Sequence, residues 1–297
     1  MVRLINGALI GLMLFVSSPL TAEADGLAML KRKVAIARFT NETRSGQSFM
    51  RDDSGDRLGK QASDILSARL TSTGSFLMFE RTDSEKISTE QVLAGMKESG
   101  VAVDYLILGS VSEFGRSVES VSGVFSRSKA QKAFAKVNVR LVDVETGRII
   151  HSAEGAGEAV TETKKTLGVG SSAGFDQSLT DKAISAAISK VTGNLISTMQ
   201  SKSWKSYILT EDEGSYVIAG GPSQGLNSGM TLNVRKKGRR VKNPQSGAMI
   251  ELPGKDVGSL EIIMSFGEDE FNEVSYAKLI SGSIGTDLAE YFVTEQR

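Results

Sequence analysis

Cysteine is absent from this 297-residue chain, histidine and tryptophan each occur once, and proline occurs four times. Without thiols there can be no disulfide framework, so the chain must hold itself together by burying a core, and it is long enough to do so. A single imidazole and no thiols exclude the usual structural zinc sites, which leaves carboxylate-only calcium or magnesium sites as the sole metal chemistry in principle. No charge excess exists either: Lys plus Arg and Asp plus Glu both total 35. A chain that neutralises nucleic-acid phosphates normally carries a basic surplus, so nucleic acid is disfavoured as a partner. Beyond the first two dozen residues no apolar run reaches the roughly 20 residues of a spanning helix.

What is there begins with an export signal over residues 1–24. Arg3 supplies the positive start, residues 9–16 the apolar stretch, and Ala22-Glu23-Ala24 a small-x-small cleavage site. The expectation is a cleaved signal, a mature protein in the periplasm, and no lipid anchor, because no cysteine follows the signal.

The mature chain reads in two styles. Residues 33–39 form a short β-branched strand, residues 41–57 a polar loop, and residues 58–70 a helix with apolar positions 58, 62, 65, 66 and 70 on one face. Residues 76–79 make a second strand and residues 88–99 a second helix. Residues 103–111 are apolar on both faces, which places them inside a sheet. Residues 133–144 alternate: Ala133, Ala135, Val137, Val139 and Leu141 face one way, Lys136, Asn138 and Arg140 the other. Glu145-Thr146-Gly147 turns this strand into residues 148–154 as a hairpin. Residues 179–199 carry the strongest helical pattern. From Tyr207 onward the text changes to short strands (215–219, 230–235, 257–263, 273–280) separated by glycine-rich turns, the pattern of a small closed barrel. The fold class expected is an α+β or α/β sandwich, with a mixed sheet and packed helices over residues 25–203, followed by a small all-β barrel over residues 204–297.

Chemistry-bearing motifs are weak. Two stretches fit glycine-x-serine-x-glycine, around Ser172 and Ser223, but the stretch before Gly170 is polar, Pro222 stands beside Ser223, and His151 precedes both serines instead of following as a base. Gly168-Val169-Gly170 lacks the apolar strand that a dinucleotide loop needs, and the stretch 55–60 is one residue short of a phosphate loop, with Gln61 where the magnesium-binding hydroxyl belongs. His151 reads as a structural strand histidine. No catalytic, cofactor-binding or metal residue is assigned, and no cofactor is expected. The densest feature is the basic cluster Arg235, Lys236, Lys237, Arg239, Arg240 and Lys242 around Gly238. It reads either as a solvated hairpin tip or as a docking patch for anionic headgroups, an envelope polymer or an acidic partner. The acidic run Glu268, Asp269 and Glu270 has the charge sign to answer it on a neighbouring subunit.

Four segments in order, VAIARFTNET, FLMFERTD, DYLILGSVSEF and VNVRLVDVETGRIIHSAEG, resemble the curli-secretion CsgG family and its periplasmic relatives across residues 33–199. Further on, YVIAGGPSQGLNSGMTLNVRKKG, NPQSG, VGSLEII and YAKLISGS resemble the small C-terminal barrel of the flagellar protein FlgT. The resemblance implies a non-enzymatic envelope assembly or secretion component. It would act as a homo-oligomer with other envelope or secretion proteins, in the periplasm or at the outer membrane. The alternative is a pore-forming channel subunit for curli-like fibres or adhesins. That family's channel hairpins fall at residues 112–131 and 159–176. Arg116, Glu119, Arg127 and Lys129 in the first, and a single aromatic, Phe175, in the second, are a poor match to lipid-facing strands.

Overall fold

The computed structural model describes residues 29–43, 51–52, 55–93, 101–122, 126–166, 178–245, 247, 249–267 and 272–296. The signal, Ser172, Phe175 and the acidic run 268–270 therefore lie outside the described residues.

The first unit is a two-layer sandwich. Strand β1 (Arg32–Asn41) lies in a five-stranded sheet with β4 (Phe76–Glu80), β5 (Tyr105–Ser122), β6 (Ser126–Asp143) and β7 (Ile149–Thr166), in the order β4-β1-β5-β6-β7. β1 runs parallel to both of its neighbours, and β5, β6 and β7 form an antiparallel meander. The doubly apolar strand β5 is interior, as its pattern required. Two short strands, β2 (Arg51–Asp52) and β3 (Gly55–Asp56), make a separate ribbon ahead of helix α1 (Arg57–Ser72). Asp56 caps that helix by accepting from the Gly59 amide at 2.8 Å. A carboxylate therefore occupies the helix N-terminus, where a phosphate loop would present free amides.

Helix α3 (Ser178–Ser201) packs on β6, β7 and α1, so both long helices cover one face of the sheet. Leu58, Ala62, Leu66 and Leu70 of α1 and Leu179, Ile184, Ile188 and Leu195 of α3 share one core with Val34, Ile107, Ala135, Val137 and Leu141. The alternation in β6 is thus real: its odd residues from Ala133 to Leu141 are buried, while Lys136, Asn138 and Arg140 point away from the helices. The helix expected at 88–99 begins earlier, as α2 (Ser84–Leu93), and residues 94–100 lie outside the described set. None of its residues is buried.

The second unit is a closed six-stranded barrel, β10-β13-β14-β9-β8-β15. Its strands are β8 (Lys205–Asp212), β9 (Ser215–Ala219), β10 (Thr231–Lys236), β13 (Lys255–Phe266), β14 (Val274–Gly282) and β15 (Tyr291–Glu295). β8 and β15 went unread in the sequence: β8 exposes Tyr207 and Leu209 on its outer side, which blurs its alternation, and β15 is only five residues long. β15 closes the barrel by pairing both β10 and β8. A two-stranded arm, β11 (Arg240–Lys242) with β12 (Met249–Glu251), projects between β10 and β13.

The two units are joined tightly. Leu30, just before β1, is 2% exposed and belongs to the barrel core with Trp204, Ile218, Leu232 and Val293. Arg32 donates to the Leu30 carbonyl at 2.7 Å and to Glu295 at 2.9 Å, and the Trp204 amide donates to the same Glu295 oxygen at 2.9 Å. The Lys31 amide donates to the Gln224 carbonyl at 2.8 Å. Lys205 and Glu145 form a second, more exposed tie at 2.7 Å, between β8 and the β6–β7 turn.

Candidate interaction surfaces

The reactive-looking residues do not converge. Ser223 lies in a 3₁₀ turn (Pro222–Gln224), where its hydroxyl donates to Glu273 at 2.6 Å and its amide to the same carboxylate at 3.1 Å. The carboxylate is acting as a turn clamp, and no imidazole lies beside it. His151 sits on the helix-covered side of the other unit, with its Nδ1 3.4 Å from the Thr198 hydroxyl. A cleft of about 450 Å³ beside α1 is lined by Lys60, Ser63, Asp64, Ser67, Glu80 and Asp83. Glu80 accepts from the backbone amides of Arg81 and Thr82, and Asp83 pairs with Lys86, whose contact holds the Asp83 carboxyl below its ordinary range. These carboxylates serve local turns. Among the described residues no cluster of three His, Asp or Glu could hold a metal. No described helix is long and apolar enough to cross a membrane, which leaves strands unaddressed.

Surfaces are more informative. β5, β6 and β7 are 18 residues each, and the sequence reading ended β5 and β7 too early and began β6 too late. The described parts of 112–131 and 159–176 are continuous strands: β5 and β6 pair as far as Ser122 with Arg127, and β7 follows β6 to Thr166. On the helix side, Gly155 and Gly157 let α3 approach closely. A Cβ at Gly157 would lie 2.3 Å from the Ala187 nitrogen and 2.4 Å from the Ala183 oxygen. On the open side a charge lattice crosses the strands. Lys136 of β6 lies 3.3 Å from Glu113 of β5 and 2.8 Å from Glu154 of β7. Lys132 lies 2.9 Å from Glu119. Both ammonium groups keep their protons above the ordinary lysine range, Lys136 through hydrogen bonds to Glu154 and then Glu113, and Lys132 through its bond to Glu119. β7 is the last strand of the sheet, so one edge of its backbone is unpaired by this sheet.

The six basic residues have different surroundings. Arg235 pairs with Asp256 at 2.7 Å across the β10–β13 ladder, and Lys236 pairs with Glu290 at 2.8 Å while lying 5.5 Å from the Tyr291 ring. Lys237 is half-buried over Tyr207, at 5.8 Å. Arg239, Arg240 and Lys242 are exposed and run into the arm, where Arg240 stands opposite Glu251 in the β11–β12 register. The sequence missed that Met249, Ile250 and Leu252 stand exposed beside them, because β12 is three residues long and reads as loop.

With this geometry in view, the comparisons place the chain. The family model described as "Curli production assembly/transport component CsgG" matches residues 16–218, and the chain belongs to that family. The match runs through the joint and into β8 and β9 of the barrel. A candidate lipoprotein of Neisseria meningitidis serogroup B is 31% identical over 179 residues, covering 59% of this chain and 80% of the relative. Among solved structures, the PelC dodecamer of Paraburkholderia phytofirmans is 18% identical, covers 54% of this chain and 86% of its own, and superposes with a TM-score of 0.27. A lipoprotein of Neisseria meningitidis is 14% identical, covers 58% and 99%, and scores 0.26. Superpositions this loose transfer nothing to the present chain.

Proposed function

We propose that this chain is a non-enzymatic component of cell-envelope assembly or secretion that works by self-association and partner binding, in the periplasm or against the outer membrane. The sandwich, close to residues 25–203, would supply the subunit contacts, and the barrel, close to residues 204–297, would dock. The observation that carries this reading is the 18-residue β7 at the open margin of the sheet. A long strand edge is a template for pairing with another chain. Glu154, Glu158 and Glu162 lie on one face of β7, so two β7 strands set against each other would bring like charges together. That disfavours a two-fold dimer through this edge and favours a head-to-tail contact, the kind that closes rings.

The channel alternative gains nothing from the described strands. One face between residues 111 and 159 is occupied by α3, and the other carries Glu113, Glu119, Lys132, Lys136, Glu154 and Glu158. Each charge facing lipid at mid-depth costs on the order of 2–4 kcal/mol.

Two adjacent proline variants test the edge. Successive residues of an edge strand send their amides in opposite directions, so of Glu158→Pro and Ala159→Pro one removes a bond to β6 and the other only a free-edge donor. The expected result by native mass spectrometry is a closed multimer for the unaltered chain and a folded monomer for the free-edge variant. A chain that stays monomeric at tens of micromolar, or a multimer indifferent to both variants, would sink the proposal.

A further inference from the structure

We propose that the β11–β12 arm is a bilayer-docking element that seats on anionic lipid. The inference rests on the docking role given to the barrel above and names its partner. Arg240 pairs opposite Glu251, Val241 opposite Ile250, and Lys242 opposite Met249. Directly opposed residues share a face of a two-stranded ribbon, and neighbours along a strand alternate. Arg240, Lys242, Met249 and Glu251 therefore hold register positions on one face, and Val241 and Ile250 on the other, with Leu252 and, opposite it, Arg239 one step on. Ile250 is 46% and Leu252 39% exposed.

An isolated two-stranded ribbon cannot bury its own apolar face, so a partner must cover this one. Charge balance favours an anionic partner, since three cations, Arg239, Arg240 and Lys242, stand on the arm against one acidic position, Glu251, whereas Arg235 and Lys236 are each paired. An anionic bilayer surface offers both chemistries in layers. Phosphate headgroups lie outside the acyl boundary, into which apolar groups of surface-bound elements sink by roughly 5–10 Å. An acidic protein would satisfy the cations but needs its own apolar groove for Ile250 and Leu252, and a soluble polyanion offers no apolar layer.

The arm's root is built to hold it rigidly. The Leu252 amide donates to the Arg239 carbonyl at 3.0 Å, and a Cβ at Gly238 would lie 1.6 Å from the Leu252 oxygen. The chain crossing admits only glycine there, which fixes the arm's exit from the barrel.

The test is co-sedimentation of the full chain with vesicles of phosphatidylglycerol and phosphatidylethanolamine, against vesicles of phosphatidylcholine alone. We expect partition onto the anionic vesicles that falls as salt rises. The pair Arg239→Glu and Arg240→Glu is expected to lower it at least about tenfold, and so is the pair Ile250→Ser and Leu252→Ser, the latter even at low salt. Both pairs sit on an exposed ribbon, so unchanged far-ultraviolet circular dichroism and native mass will show that the fold and the assembly persist. No binding to anionic vesicles by the intact multimer would remove the lipid partner while leaving the assembly reading standing. Binding unaffected by the serine pair, or abolished by a soluble polyanion with no salt-independent remainder, would overturn the seated arm in favour of simple charge attraction.

Discussion

Gly157 has more structural consequence than its sequence context suggests. It lies mid-strand in β7, where glycine normally weakens a sheet. Its reason lies across the interface: the backbone of α3 at Ala183 and Ala187 occupies the space that a side chain would need. Backbone atoms in a packed helix cannot swing aside, so the whole helix would have to lift. Gly157→Ala should therefore destabilise the protein by about 1–3 kcal/mol, seen as a lower urea midpoint with an unchanged slope. Gly115 of β5 has nothing within 4 Å of such a Cβ and is the control: Gly115→Ala should be neutral or slightly stabilising. An equal response at both sites would mean that close helix approach does not explain Gly157. None of this was readable beforehand, since a sequence records the missing side chain but not the neighbour that forbids it. The place of His151 on a strand was readable, because the apolar Ile149 and Ile150 before it start the strand that runs through it.

The elements themselves were legible in proportion to how much apolar face they bury. α1, α3, β1 and β6 declare themselves through period and alternation because their apolar residues all meet in one core. The outer reaches of β5, β6 and β7 did not, since their open face is a lattice of charges that reads as loop. In the fold that lattice is order: Lys136 bridges two acidic strands, with Glu154 and Glu113 on either side. A lysine whose folded pKa is raised lends stability in full below its unfolded pKa, near the usual 10.5, and loses it as pH climbs through the folded value. Lys136→Met should therefore lower the melting temperature at about pH 9, and the gap between the variant and the unaltered chain should close at strongly alkaline pH. The pairs are partly solvated, so the gap should be modest and should shrink in high salt. A gap that held constant to alkaline pH would show that Lys136 acts by packing its methylenes and not by charge.

At the scale of the whole chain, a mixed sheet covered by helices is followed by a closed barrel, yet the two units are not independent. The barrel core takes Leu30 from the segment before β1, and Arg32 spans from that segment to Glu295 near the end of the chain. No local pattern could have revealed this, because one leucine contributed from nearly two hundred residues away leaves no period to read. It also gives a physical reason for the family match to continue into β8 and β9: the sandwich's first strand and the barrel's first strands are built around each other. The sole tryptophan, Trp204, is 1% exposed and sits at this joint, so its fluorescence reports on it directly. Leu30→Ala empties a core position that the barrel cannot refill from its own residues, and large-to-small changes of this kind cost about 2–5 kcal/mol. We expect the Trp204 transition in urea to move to lower denaturant by that amount, while the far-ultraviolet signal of α1 and α3, whose core Leu30 does not touch, moves less. The two probes should then part company in the variant, with the barrel melting first. If they stayed coincident and unshifted, Leu30 would be a passive neighbour of the barrel and the units would be held by their polar ties, Arg32–Glu295, Lys31–Gln224 and Lys205–Glu145.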